Sequence, residues 1–193
     1  MQIHLSLHKK YTEKDLKMKT RILLTLIASV LMVACGKQIT LNSGAEEVNQ
    51  TAAEIIHFEL PKGYQPDFAV TYNGFSLAAY STQNTYGHLY FIQSQEEVDS
   101  ERLEQEMKKR ISETSNAQNQ FHTIETLPVI VDGQETTLNI SEGFNGEGLD
   151  YKQAMITFQG KSGPALLVLS NLSEEWDENS LASLIESLHR QEK

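Results

Sequence analysis

Pro164-Ala165-Leu166-Leu167-Val168-Leu169-Ser170 decides the fold class of this 193-residue chain. The apolar run is too short for a helix, and Gly160-Lys161-Ser162-Gly163 bounds it upstream. A run of this kind suits a strand covered on both faces, and so a central one. Across that turn, Leu149 to Gln159 supplies an antiparallel neighbour. Further upstream, Phe121 to Val131 and Gln134 to Glu142 flank Asp132-Gly133, a dipeptide that accepts the positive φ values of a tight hairpin. Phe68 to Tyr72 and Phe75 to Ser81 flank Asn73-Gly74 in the same way, and Gly87 to Gln93 is one more strand. Ile55 to Leu60 reads as an opening strand stopped by Pro61-Lys62-Gly63.

Two stretches carry helical spacing. After Ser94, a capping residue with Glu97, the residues Val98, Leu103, Met107 and Ile111 form a narrow apolar stripe. Near the end, Leu181, Leu184, Ile185 and Leu188 fall at i, i+3, i+4 and i+7. Strands, helix, strands, helix with antiparallel neighbours predicts an α+β domain over 54–193, a central mostly antiparallel sheet with helices packed on its faces.

The N-terminal region reads differently. Met18-Lys19-Thr20-Arg21 is basic, Ile22 to Ala34 is free of charge, and Cys35-Gly36-Lys37 follows. Crossing a bilayer takes about 20 apolar residues, so this run is too short to be a transmembrane helix. Its parts follow the order of a secretory signal. The stretch Met32-Val33-Ala34-Cys35 resembles the lipobox of bacterial lipoproteins, with Met32 where Leu is more usual. The resemblance implies cleavage between Ala34 and Cys35, lipid on the Cys35 sulfur and acylation of the new N-terminus. Residues 1–34 are then an N-terminal extension and signal peptide, with Met18 as the expected start. Residues 35–53, polar and poor in large apolar side chains, are expected to be a lipidated flexible tether. Cys35 is the only cysteine, so no intramolecular disulfide can form.

The chain has 16 Lys+Arg and 26 Asp+Glu. Six basic and two acidic residues lie in 1–34, leaving 10 and 24, a net charge of −14 for the remainder. Nucleic acid is excluded as a partner on this charge, and an anionic lipid surface would repel the domain. Attachment to the membrane therefore falls to the lipid on Cys35.

The segment Phe58-Glu59-Leu60-Pro61-Lys62-Gly63-Tyr64, the turn Val131-Asp132-Gly133-Gln134 and the closing Ile185-Glu186-Ser187-Leu188 resemble the PsbP-like fold and, within it, the DcrB-type bacterial lipoproteins, over residues 54–190. The resemblance implies a PsbP-like sandwich and a binding or assembly role, with no shared catalytic residues. Gly36 after the cysteine, where an inner-membrane protein of enteric type carries Asp, favours the outer membrane.

No motif of catalysis stands out. Gly160-Lys161-Ser162 lacks the upstream glycine of a phosphate loop, since position 155 is Met155, and it joins two strands. His57, His88, His122 and His189 have no metal-ligand spacing, and no G-x-S-x-G elbow exists. Glu142, Glu147 and Asp150 are scattered carboxylates that could serve a hydrolase only if the fold gathered them. The expectation is a protein without enzymatic activity, metal or cofactor. Gly143 to Gly148 reads as a hairpin tip, where Phe144, Asn145 and Glu147 form a candidate partner-binding loop. Tyr72, Phe75, Tyr80, Tyr86, Tyr90 and Trp176 supply core and interface aromatics. The expected role is a lipid-anchored envelope protein that binds another envelope protein; a small-ligand or lipid carrier is the alternative.

Overall fold

The computed structural model describes residues 40–72, 74–94, 121–144 and 148–190, all within one compact unit, Ile39–Lys193. The elements are β1 (Thr40–Asn42), α1 (Ala45–Ile55), β2 (Tyr64–Tyr72), β3 (Phe75–Thr82), β4 (His88–Ser94), β5 (His122–Val131), β6 (Gln134–Phe144), β7 (Asp150–Gln159), β8 (Pro164–Leu172) and α2 (Glu178–Ser187). All eight strands form one antiparallel sheet in the order β1-β2-β3-β4-β8-β7-β6-β5. Two meanders, β1 to β4 and β5 to β8, meet where β4 pairs with β8. Ala165 to Leu169 lies at that seam, with Leu166 and Leu167 fully buried on opposite faces. The central strand is where its continuous apolar run requires it.

Each hairpin expected from the sequence forms. Asp132 and Gly133 have φ of 49° and 77°, the two positive values of a type I′ turn, and Gly74 has φ of 81°. The β7–β8 turn closes through Gly160 N–H donating to Gly163 O at 2.9 Å. The buried Gln93 of β4 donates its side-chain amide to the same carbonyl at 3.1 Å.

The α+β sandwich with helices on the sheet's faces is overturned. The eight-stranded sheet dominates the described residues, and both described helices pack into one cluster on the same face. That cluster joins Val48, Ala52 and Ile55 of α1 and Leu181, Leu184 and Ile185 of α2 to Ala78, Phe91, Leu167 and Ile156 of the sheet. Strands of seven to eleven residues, from β2 onward, take most of the apolar pattern, while the helices have only 11 and 10 residues. On the opposite face Ile92, Met155, Leu166 and Val168 form a second cluster against Phe75, Leu77 and Tyr90. The helix expected after Ser94 lies outside the described residues.

A second correction concerns the tether. The expected boundary at Ala53 falls inside α1, and β1 precedes it. Val48, Ala52 and Ile55 give α1 one narrow buried stripe in an otherwise polar segment, too little apolar content to separate it from a linker. Glu46 and Glu47 in its first turn complement the helix dipole. The expected opening strand Ile55 to Leu60 reduces to a single bridge, in which His57 and His189 exchange backbone hydrogen bonds of 3.0 Å. The closing helix forms as expected. Asp177 caps it by accepting from Asn179 N–H at 3.0 Å.

Candidate protein-docking edge

A sheet edge presents unpaired N–H and C=O groups, and proteins usually shorten or charge it. The two edges here differ. β1 has three residues, whereas β5 has ten, and among the described residues β5 pairs only with β6. Residues 122–128 of β5 are all exposed, and three of its aliphatic side chains face solvent: Ile124 at 45%, Leu127 at 37% and Ile130 at 68%. The register shifts between Thr123 and Glu125, so Ile124 is the extra residue of a bulge. Bulges turn one side chain away from the ladder alternation. Around the middle of the strand, Thr126, Leu127 and Pro128 line a shallow cleft of ≈ 340 Å³ with Glu135, Thr136 and Thr137 of β6. Thr126 Oγ1 donates to Asn139 Oδ1 at 3.1 Å, and Thr136 Oγ1 donates to the backbone oxygen of Thr157, which fixes the floor of that region. The arrangement can receive an extended chain: backbone hydrogen bonds along β5, aliphatic contacts at Leu127 and Ile130, and carboxylates at Glu125 and Glu135 for a basic side chain.

The residues singled out from the sequence distribute unevenly. Ala34 and Cys35 lie outside the described residues, as do Asn145 and Glu147. Phe144 ends β6, opposite Asp150, and is 53% exposed. It stands three to four residues along the sheet from Ile124. From Ile130, opposite Glu135, it is nine residues away, roughly 30 Å. Glu142 forms a 3.1 Å ion pair with Lys152, so one of the scattered carboxylates already has a cationic partner.

Lys161, in the segment like the tail of a phosphate loop, serves the fold. Its ammonium donates to Ala53 O at 2.6 Å and stands 2.7 Å from His57 Nε2, while its backbone N–H donates to Ile55 O at 2.9 Å. It therefore satisfies carbonyls at the C-terminus of α1, which has no basic residue of its own in its last turn. His57 and His189 stack at a tilt with ring centroids 5.7 Å apart. Among the described residues no group of three His, Cys, Asp or Glu side chains is placed to hold a metal ion.

Of the aromatics, Tyr80 is core. Its ring meets Phe58 edge-on at 5.6 Å, its hydroxyl donates to Asn49 Oδ1 at 3.1 Å, and burial pushes its pKa up to about 12. Tyr72 and Tyr86 are exposed. A second shallow cleft, ≈ 370 Å³, runs between Glu59–Lys62 and the start of α2. The edge itself was missed by the sequence reading. β5 was legible as a strand, but which strand would end the sheet was not.

No family model matches the chain, and a comparison with curated proteins finds no match. Among solved structures the chain is similar to the solution structure of cyanobacterial PsbP (CyanoP) from Synechocystis sp. PCC 6803. The TM-score is 0.46 and the identity 13%, over 82% of this chain and 95% of that one. It is also similar to the crystal structure of LpqN, involved in cell envelope biogenesis of Mycobacterium tuberculosis. There the TM-score is 0.40 and the identity 10%, over 80% and 91%.

Proposed function

We propose that this protein is a bacterial envelope lipoprotein, anchored through lipid on Cys35, that works by binding another envelope protein and catalyses no reaction. The β5 edge carries the reading: ten residues long, open on one side among the described residues, and lined by Ile124, Leu127 and Ile130. The occupant we assign to it is an extended segment of the partner with apolar and basic residues. The aliphatic side chains and the net charge of −14 beyond residue 34 favour that chemistry over an acidic segment. Anchoring rests on Met32-Val33-Ala34-Cys35, and Gly36 favours the outer membrane.

A photo-crosslinking residue at Ile130 of the full-length protein in living cells tests the docking, with the same residue at Lys62 as control. The expected result is an adduct from position 130 alone whose crosslinked peptide is extended and carries Lys or Arg. Adducts only to lipid or to a second copy, or equal adducts from both positions, would overturn it. Cys35→Ser tests the anchor separately, by loss of fatty-acid labelling and of membrane retention.

A further inference from the structure

The first strand begins close behind the cysteine. With β1 opening at Thr40, only residues 36–39 separate it from Cys35. Five Cα–Cα steps reach roughly 18 Å at full extension. Lipid on Cys35 therefore brings the start of β1 close to the headgroups. β1 runs antiparallel to β2 with Thr40 opposite Thr71, so the chain arrives beside the β2–β3 hairpin. At this corner of the sheet two large side chains face solvent, Leu41 at 68% and Tyr72 at 39%. Leu41 pairs with Val70, and Tyr72 stands two residues further along β2. Both side chains therefore lie on one face, diagonal neighbours about 7–8 Å apart. Val70, its partner Leu77 and the Tyr72 partner Phe75 are half-buried beside them.

Charge singles out the same corner. The chain beyond residue 34 has a net charge of −14, yet no Asp, Glu, Lys or Arg occurs from Phe68 to Ser94 or from Thr40 to Ala45. The carboxylates nearest in sequence are Glu46, Glu47 and Asp67. They follow Asn42 and precede Ala69, on the segments that leave the other end of the β1–β2 pairing. An acidic domain meets least repulsion at a lipid surface through a part that carries no carboxylate. An aliphatic side chain beside a tyrosine, with an apolar ring and a hydroxyl, suits the boundary between acyl chains and headgroups.

We propose that Leu41 and Tyr72 form a membrane-contact patch that seats the domain on the bilayer beside its own anchor. The inference rests on the proposed lipid at Cys35. Leu41 enters the apolar boundary, and the Tyr72 ring lies at headgroup level with its hydroxyl toward water. β5 is seven strand spacings from β1, roughly 34 Å across the sheet, so seating the domain here leaves Ile124, Leu127 and Ile130 clear of the patch.

The test uses the full-length protein expressed in cells and purified, with the mass at Cys35 measured, in phosphatidylcholine vesicles that carry a nitroxide on the acyl chains. A fluorophore is attached at Leu41→Cys, at Tyr72→Cys and, as control, at Ile124→Cys on the opposite edge. Quenching is expected to be several-fold stronger at 41 and 72 than at 124. Leu41→Glu should cut the quenching at 72 by half or more, while the protein stays on the vesicles through its lipid. Equal quenching at the three positions, none on vesicle-bound protein, or no effect of Leu41→Glu would overturn the patch and leave the anchor standing. Energy transfer between labelled copies at 41 without quenching by lipid would also overturn it, in favour of a second copy. Protein that carries no lipid at Cys35 and stays off the vesicles would overturn the anchor and the patch together.

Discussion

Gly160→Ala is the sharpest test of the packing that holds the two meanders together. A Cβ at Gly160 would stand 2.3 Å from Gln93 Nε2 and 3.1 Å from the Ala165 Cβ. The φ of Gly160 is outside the left-handed region, so alanine meets a problem of space and not of backbone strain. Gln93 is 3% exposed and its amide donates to Gly163 O, so it cannot step aside into water. Displacing it costs that hydrogen bond and leaves a buried amide unsatisfied, about 1–3 kcal/mol. Overpacking against Ala165 adds a similar amount, for a total of about 2–6 kcal/mol. For a domain of this size that lowers Tm by roughly 5–15 °C. The assay is urea denaturation of the full-length protein, followed by circular dichroism and Trp176 fluorescence, on the two single variants Gly160→Ala and Gln93→Ala and the double. Removing the Gln93 side chain leaves only the Ala165 contact, so Gly160→Ala should cost about 1–3 kcal/mol less in the Gln93→Ala background than in the wild type. A cost below about 0.5 kcal/mol in the wild-type background, or the same cost in both, would refute the reasoning.

The remaining predictions concern single groups. Lys161→Met removes the ammonium from the C-terminal carbonyls of α1 and should cost about 0.5–1.5 kcal/mol, read as a fall in Tm of a few degrees. Asp132 is held below the usual carboxylate range, chiefly by the hydrogen bond from the Arg190 side chain and further by the Arg190 backbone N–H. Its contribution is complete above the unfolded carboxylate pKa and is lost as pH falls through the lowered value. Asp132→Asn should therefore flatten the acid limb of stability against pH and leave its shape near neutrality unchanged. At the other end, burial holds Tyr64 and Tyr80 un-ionised up to about 12, for Tyr64 with help from Glu175. The stability they give is complete below the unfolded tyrosine pKa and fades as pH rises through about 12. Burial raises the pKa of the Tyr90 hydroxyl as well, so difference absorbance of phenolate should show Tyr64, Tyr80 and Tyr90 titrating late, and Tyr64→Phe should remove one of them.

The hairpins, the central strand and the closing helix were legible because each depends on residues close in the chain. Asp132-Gly133 needs only its own φ preferences, Ala165 to Leu169 only its unbroken apolar run, and Leu181, Leu184, Ile185 and Leu188 only their spacing. The lipobox is local too, and Cys35 remains a matter of sequence. What the chain could not show by itself depends on neighbours far away in sequence. α1 is recognisable as a helix only where Val48, Ala52 and Ile55 find the sheet and Lys161 closes its last turn from a distance of more than 100 residues. The order β4-β8 at the seam leaves β5 as a long edge strand among the described residues, and that order follows from how the meanders pair. It is also strand register that sets Leu41 and Tyr72 on one face, and a bulge that turns out Ile124. Periodicity assigns a side chain to one face or the other; only pairing between strands decides which residues of different strands stand side by side.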